Sequence, residues 1–129
     1  MKIIKKSTFF TLILAVSLMA AAQTPKLTPV GSWTGFAENQ GNQDDITVII
    51  EKKDDAYTGK VNDAMGMFAN VEIKNIVWKD TKVTFEFPGS INGMAFNIKA
   101  ELTLTETTMK GIWTMIEDGS SGGIDLTRR

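Results

Sequence analysis

Met94-Ala95-Phe96-Asn97-Ile98-Lys99-Ala100-Glu101-Leu102-Thr103-Leu104 puts Met94, Phe96, Ile98, Ala100, Leu102 and Leu104 in one phase and Asn97, Lys99, Glu101 and Thr103 in the other. A period of two held this long marks a strand with one buried and one wet face. A helix would scatter the same residues around its circumference. The pattern recurs on both sides. Val83, Phe85 and Phe87 share a face within 82–87, Ile46, Val48 and Ile50 within 46–52, Tyr57, Gly59 and Val61 within 57–62, and Ile124 and Leu126 within 123–128. With 31–37, 70–78 and 109–116 the sequence predicts eight strands, and no stretch beyond residue 30 keeps a helical period. The segment 70–78 changes phase. Val71 and Ile73 oppose Glu72 and Lys74, and continuing that phase sends Ile76 and Trp78 outward. A bulge near Asn75 would turn them in; the sequence leaves both facings open.

The connections sort into two kinds. Segments 53–56, 79–81 and 105–108 are hairpin-length, whereas 38–45, 63–69, 88–93 and 117–122 are longer and richer in Gly, Asn, Asp or Ser. In an up-and-down meander alternate connections share an end. Short turns therefore gather at one end and long loops at the other. Eight such strands can close into an antiparallel barrel, which removes exposed edges and leaves an interior that is filled or holds one small ligand. The expected fold is an all-β, eight-stranded meander barrel over 31–129.

The N-terminus reads as a secretory signal peptide over residues 1–22. Lys2, Lys5 and Lys6 precede an apolar run from Phe9 to Met19, and Ala20-Ala21-Ala22 offers a cleavage site before Gln23. The alternative, a membrane anchor, needs about 20 apolar residues, more than this run supplies. Residues 23–30 follow as an extended leader. The expected location is periplasmic or secreted, with no membrane anchor after cleavage. Export would remove three of the 14 basic residues and none of the 15 acidic ones, leaving a net charge of about −4. That balance disfavours nucleic acid as a partner. The chain has no Cys and no His. This excludes disulfides, thiol nucleophiles, imidazole bases and His or Cys metal ligands, and no cofactor motif is present. Asp44-Asp45 and Asp54-Asp55 lack the spacing of a calcium loop and are expected to be solvated turn acids.

Gly31-Ser32-Trp33-Thr34-Gly35 at the start of the first predicted strand, Tyr57-x-Gly59, a second Gly111-x-Trp113 and the terminal Leu126-Thr127-Arg128 resemble the lipocalin-like (calycin) barrels. More closely they resemble a small exported domain of Bacteroidetes that occurs alone or ahead of an α/β-hydrolase. The resemblance covers about residues 30–129. It implies a barrel whose first-strand Trp33 packs at the closed end against a basic side chain of the last strand, here Arg128. Trp33 and Trp113 are both expected as plugs at the short-turn end, in preference to ligand-stacking roles.

Met65-Gly66-Met67-Phe68 places three large apolar side chains in a predicted loop. They either fold back onto the core or form an adaptable contact surface. With Ile91 and Met94 they centre the expected functional surface at the long-loop end, with Phe87, Phe96 and Met115 lying inward of them. The leading expectation is a non-enzymatic binding module for a small apolar or amphipathic molecule. The alternative is a protein-interaction module, an accessory or inhibitor of an exported enzyme. Catalysis by Glu86 or Glu101 with Tyr57 or an Arg is the least favoured, because both carboxylates alternate with apolar neighbours and are expected to face solvent.

Overall fold

The computed structural model describes residues 27–129; the signal-peptide reading and the start of the leader lie outside the described residues. Eight strands follow in order: β1 (Gly31–Asn39), β2 (Asn42–Lys53), β3 (Ala56–Asp63), β4 (Val71–Lys79), β5 (Lys82–Ile91), β6 (Met94–Leu104), β7 (Thr108–Met115) and β8 (Ser121–Arg128). Each pairs antiparallel with its chain neighbours, and β1 pairs with β8, so the sheet closes into an up-and-down barrel. No helix occurs among the described residues. The alternating apolar residues turn inward as their period requires. Val48, Ile50, Val61, Val83, Phe85, Ala100, Leu102, Leu104, Met109 and Leu126 are essentially inaccessible to solvent.

Two of the expected long loops are not loops. Segment 38–45 is mostly strand around a two-residue turn at Gln40-Gly41, and 88–93 is mostly strand around Asn92-Gly93. Both turns have positive φ at both residues, 50° and 84° in the first and 52° and 79° in the second. That is the hairpin turn whose twist matches a right-handed strand pair. Pro88 sits inside β5 at no cost to the ladder. It shares the phase of Ser90, whose N–H turns to Met67 O of the β3–β4 loop, and the β4 ladder ends at Lys74↔Glu86. The connections that remain long are β3–β4 and β7–β8, both at the end opposite the short turns.

A bulge interrupts the β4–β5 register between Lys74 and Val77, with Asn75 at φ 55°. The extra residue reverses the phase of β4. Ile76 and Trp78 turn in to pack partly buried against the core, and Val77 turns out. Tyr57 meets the edge of Trp78 across the narrow β3–β4 seam, at 6.4 Å between ring centroids.

The closed end is built from the two termini of the barrel. Trp33 pairs in register with Arg128 and is fully buried, and the Arg128 guanidinium lies 4.2 Å from the indole centroid. The same guanidinium donates to Val30 O at 2.7 Å, Thr28 O at 2.6 Å and Glu106 O at 2.9 Å, and Trp33 Nε1 donates to Pro29 O at 3.0 Å. Residues 27–30 thus cross the barrel bottom, with Pro29 buried beneath the indole. Gly31 suits this position, because its φ is 141° and a Cβ there would stand 2.7 Å from the guanidinium.

Candidate functional site

At the opposite end the barrel narrows onto a cavity of about 70 Å³. Its walls come from seven strands. Ala37 and Asn39 of β1, Asp44 and Ile46 of β2, Val61 of β3, Phe87 of β5, Phe96 and Ile98 of β6, Trp113 and Met115 of β7 and Ile124 of β8 surround it, and Met67 and Phe68 of the β3–β4 loop close it. The lining is apolar except at the mouth, where Asn39 and Asp44 stand. This volume is well below the roughly 300–1,000 Å³ of drug-sized sites. It is about half of an engineered apolar cavity of ~150 Å³ that admits benzene. A molecule of three or four heavy atoms is the match.

The β3–β4 loop is folded back over the mouth. Phe68 is 8% exposed and meets Phe87 and Phe96 edge-on, with centroids 5.0 and 5.8 Å apart. Gly89 makes room for this ring, since a Cβ there would collide with Phe68 and Phe96. Backbone and carboxylate bonds pin the loop. Asp63 Oδ1 accepts from Phe68 N at 2.8 Å, Asp63 N donates to Phe68 O, Ala64 N donates to Asp45 O, and Asp44 Oδ1 accepts from Met65 N at 3.1 Å. Gly89→Ala is expected to push the Phe68 ring off its seat. The overpacking should cost about 1–3 kcal/mol, read as a lowered unfolding midpoint together with faster amide exchange at Phe68.

Asp44 corrects the sequence reading. It is not a solvated turn acid: β2 starts at Asn42, so Asp44 takes the inward phase of Ile46, Val48 and Ile50 and is only 6% exposed. Burial, then a hydrogen bond and charge repulsion from Asp63, raise its pKa to about 6, against weaker opposing bonds from the Met65 and Ala64 amides. A proton on Asp44 supplies the donor that Asp63 Oδ2 otherwise lacks, since that buried atom has no other hydrogen-bond partner among the described residues.

Of the residues expected at this end, Met67, Phe68, Phe87, Phe96 and Met115 come together around the cavity. Met65, Ile91 and Met94 do not. They stand on the rim, 63%, 49% and 72% exposed. Trp113 is a second correction. It is near the end of β7, not its start, so it belongs to the open end. Its indole passes over Gly122 of β8 and donates from Nε1 to Glu38 O at 2.9 Å. A side chain at Gly122 would strike both groups. The carboxylate of Glu86 binds Asn75 Nδ2 at 3.0 Å, and Glu101 is exposed. No group of three or more acidic residues gathers as a metal site among the described residues. Comparison with known protein families, curated proteins and solved structures returned no match to this chain.

Proposed function

We propose that this protein is a non-enzymatic binding module that takes a small apolar or amphipathic molecule at the open end of the barrel. The observation that carries this reading is the apolar cavity beneath a loop whose closing ring, Phe68, rests on a glycine. Aromatic and aliphatic walls with few polar groups at the mouth are the usual make-up of a small-molecule site. Burial at about 25 cal/mol per Å² is then the main source of affinity. The small volume restricts what fits with the loop closed. Anything larger than a few heavy atoms has to displace Phe68. The N-terminal segment supports export to the periplasm or the exterior, and the barrel supports a distant relation to the lipocalin-like proteins and to the exported Bacteroidetes domain.

A second reading, an interaction module for an exported protein, is favoured by one observation. Met65, Ile91, Met94 and Ile116 are all exposed and all lie at this same end. Apolar rims of this kind mark contact surfaces.

The two readings separate on substitution. With 1-propanol as probe, Met67→Asp is expected to abolish the saturable shift of the Trp113 indole proton resonance, because a carboxylate there must be desolvated inside the cavity. Met65→Asp, on the rim, is expected to leave it unchanged. Equal loss from both, or a linear unsaturated shift in the native protein, would remove the cavity from consideration.

A further inference from the structure

We propose that the β3–β4 loop is a pH-dependent lid, latched by a proton held between Asp44 and Asp63: with the proton in place the loop seals the cavity, and its release at neutral pH loosens the loop and admits molecules too large for the closed cavity. The inference rests on the cavity reading above and adds its regulation.

Register brings the two carboxyls together. Asp63 pairs with Ile46, and Asp44 is two residues from Ile46 on the same inward face of β2. The two are thus diagonal neighbours on adjacent strands, within reach of each other's side chains. Asp63 Oδ2 is buried and has no donor among the described residues. A proton on the pair supplies that donor and joins the carboxyls. Without it, two like charges meet where Asp44 is almost shut off from water.

The loop hangs on this pair. Asp44 Oδ1 accepts from Met65 N at 3.1 Å and Asp63 Oδ1 from Phe68 N at 2.8 Å. The two acids are held unequally. Asp44 lies inside the β1–β2 ladder opposite Ala37, whereas Asp63 is the last residue of β3, beyond Val61↔Val71 where the β3–β4 ladder ends. Repulsion is therefore relieved at Asp63. Phe68 follows, because its N–H and its C=O are both bonded to that residue. Gly66 and Asn70, at φ 83° and 56°, bracket Met67, Phe68 and Ala69. The space beside Gly66 is open, and Asn62 holds Asn70 at the far end. Across the mouth the segment is tied by Met67 O to Ser90 N at 3.3 Å. A segment anchored at its ends and capped by one ring can swing between two positions.

No basic group faces the pair among the described residues. The loop 64–70 carries no charge. Glu38 of β1 is exposed and turned toward Gly123, and Asp45 is on the outer face of β2. Lys60 of β3 and Glu72 of β4 are exposed opposite each other on the outside, as are Glu86 of β5 and Lys99 of β6 in their register. Asp125 of β8 meets Lys110 of β7, and Glu117 and Asp118 of the β7–β8 loop bind Asn97 and Ser120. With no cation to keep both carboxylates ionised, burial and then Asp63 hold the proton on Asp44 up to a pKa of about 6. Below that pH the latch is shut, and above it the latch is released.

The test compares 1-propanol, which matches the closed cavity, with 1-hexanol, which does not, at pH 4.5 and 7.5, following the Met67 methyl and Trp113 indole signals by NMR. Neither alcohol titrates in this range, so a change with pH belongs to the protein. 1-Hexanol is expected to bind at least about tenfold tighter at pH 7.5 and 1-propanol to change less than about twofold, since only the larger probe depends on the population of the open lid. Asp44→Asn and Asp63→Asn each replace the proton by a permanent amide donor between the two side chains. Both should bind 1-hexanol at the weaker affinity at either pH. In the ligand-free protein the Phe68 amide, measured against its intrinsic exchange at each pH, should lose protection from pH 4.5 to 7.5 and keep it in Asp44→Asn. If 1-propanol binds while 1-hexanol affinity and Phe68 protection are the same at both pH values, the latch is wrong and the cavity reading survives. A pH dependence that persists in both Asn variants also overturns the latch. If neither alcohol binds at either pH, the cavity reading falls and the gating falls with it.

Discussion

Replacing Trp33 by Ala is expected to lower the stability of the barrel by about 3–5 kcal/mol, the range for removing a large buried aromatic side chain. For a domain of this size that corresponds to a drop of roughly 15–30 °C in Tm. The indole is the largest fully buried side chain and lies where β1, β8 and the leader meet. Its removal opens a void beneath Pro29 and takes away the aromatic face on which Arg128 rests. The guanidinium keeps its three carbonyl acceptors, so Arg128→Lys provides the complementary test. Lys offers a point charge where a planar fork now spans Glu106, Val30 and Thr28. It is expected to lose part of the same stability without creating a cavity. Thermal unfolding of the three proteins by circular dichroism measures this. A Trp33→Ala protein melting within about 3 °C of the native one would mean that the closed end does not hold the barrel together.

The stability of the protein is expected to fall as pH rises from about 4 to 6, and Asp44→Asn is expected to flatten that fall. The folded chain holds the Asp44 proton up to a pKa of about 6, whereas the unfolded chain releases it near 3.8. Between those values the folded state binds more protons, so raising the pH costs stability. The full cost of ionising Asp44 is roughly 3 kcal/mol, reached above pH 6 and absent below the unfolded pKa. Glu117 and Asp118 have lowered pKa values, from bonds donated by Asn97 and Ser120. They act in the opposite sense, so the comparison with Asp44→Asn is what isolates Asp44. Asn at this position still accepts from Met65 N and offers Nδ2 to Asp63 Oδ2. The variant should therefore be more stable than the native protein at pH 7.5 and similar to it at pH 4.5. Urea unfolding at the two pH values checks this, and parallel pH profiles for the two proteins would contradict it.

The barrel was legible because period-two alternation is strict wherever a strand has one buried face. The stretch 94–104 alone fixes the inward phase of β6, and the same phase carries through β2, β5 and β8. The loop boundaries were less legible for a local reason. Gly41-Asn42 and Pro88-Gly89 read as loop residues by composition, while the real turns were the neighbouring Gln40-Gly41 and Asn92-Gly93. The Asn-Gly pair is the strongest short hairpin signal, and it was available in the sequence. Asp44 follows from the same correction. Extending the phase of Ile46 and Val48 back by one step turns it inward, but a paired Asp-Asp reads first as a solvated turn. The sequence misplaces Trp113 because Gly-x-Trp reads as one motif used twice. Its first copy begins a strand, and its second runs from the middle of β7, where Gly111 allows close approach to Glu101 of β6, to Trp113 near the strand's end. Five of the eight cavity candidates were found because apolar residues on long loops and inward strand ends converge at one mouth. Met65, Ile91 and Met94 share that mouth but point off it, a direction that composition does not encode.

The central claim is that a small molecule enters the cavity under Phe68, and the methionines provide the most direct measurement of it. Met67 and Met115 line the cavity, whereas Met65 and Met94 are on the rim. With methyl-labelled methionine and 1-propanol as the probe, nuclear Overhauser contacts are predicted from the probe to the methyls of Met67 and Met115 and to the Trp113 indole, and not to Met65 or Met94. Contacts confined to Met65 and Met94 would place the probe on the outer rim, contradict the cavity account and leave the interaction reading in its place.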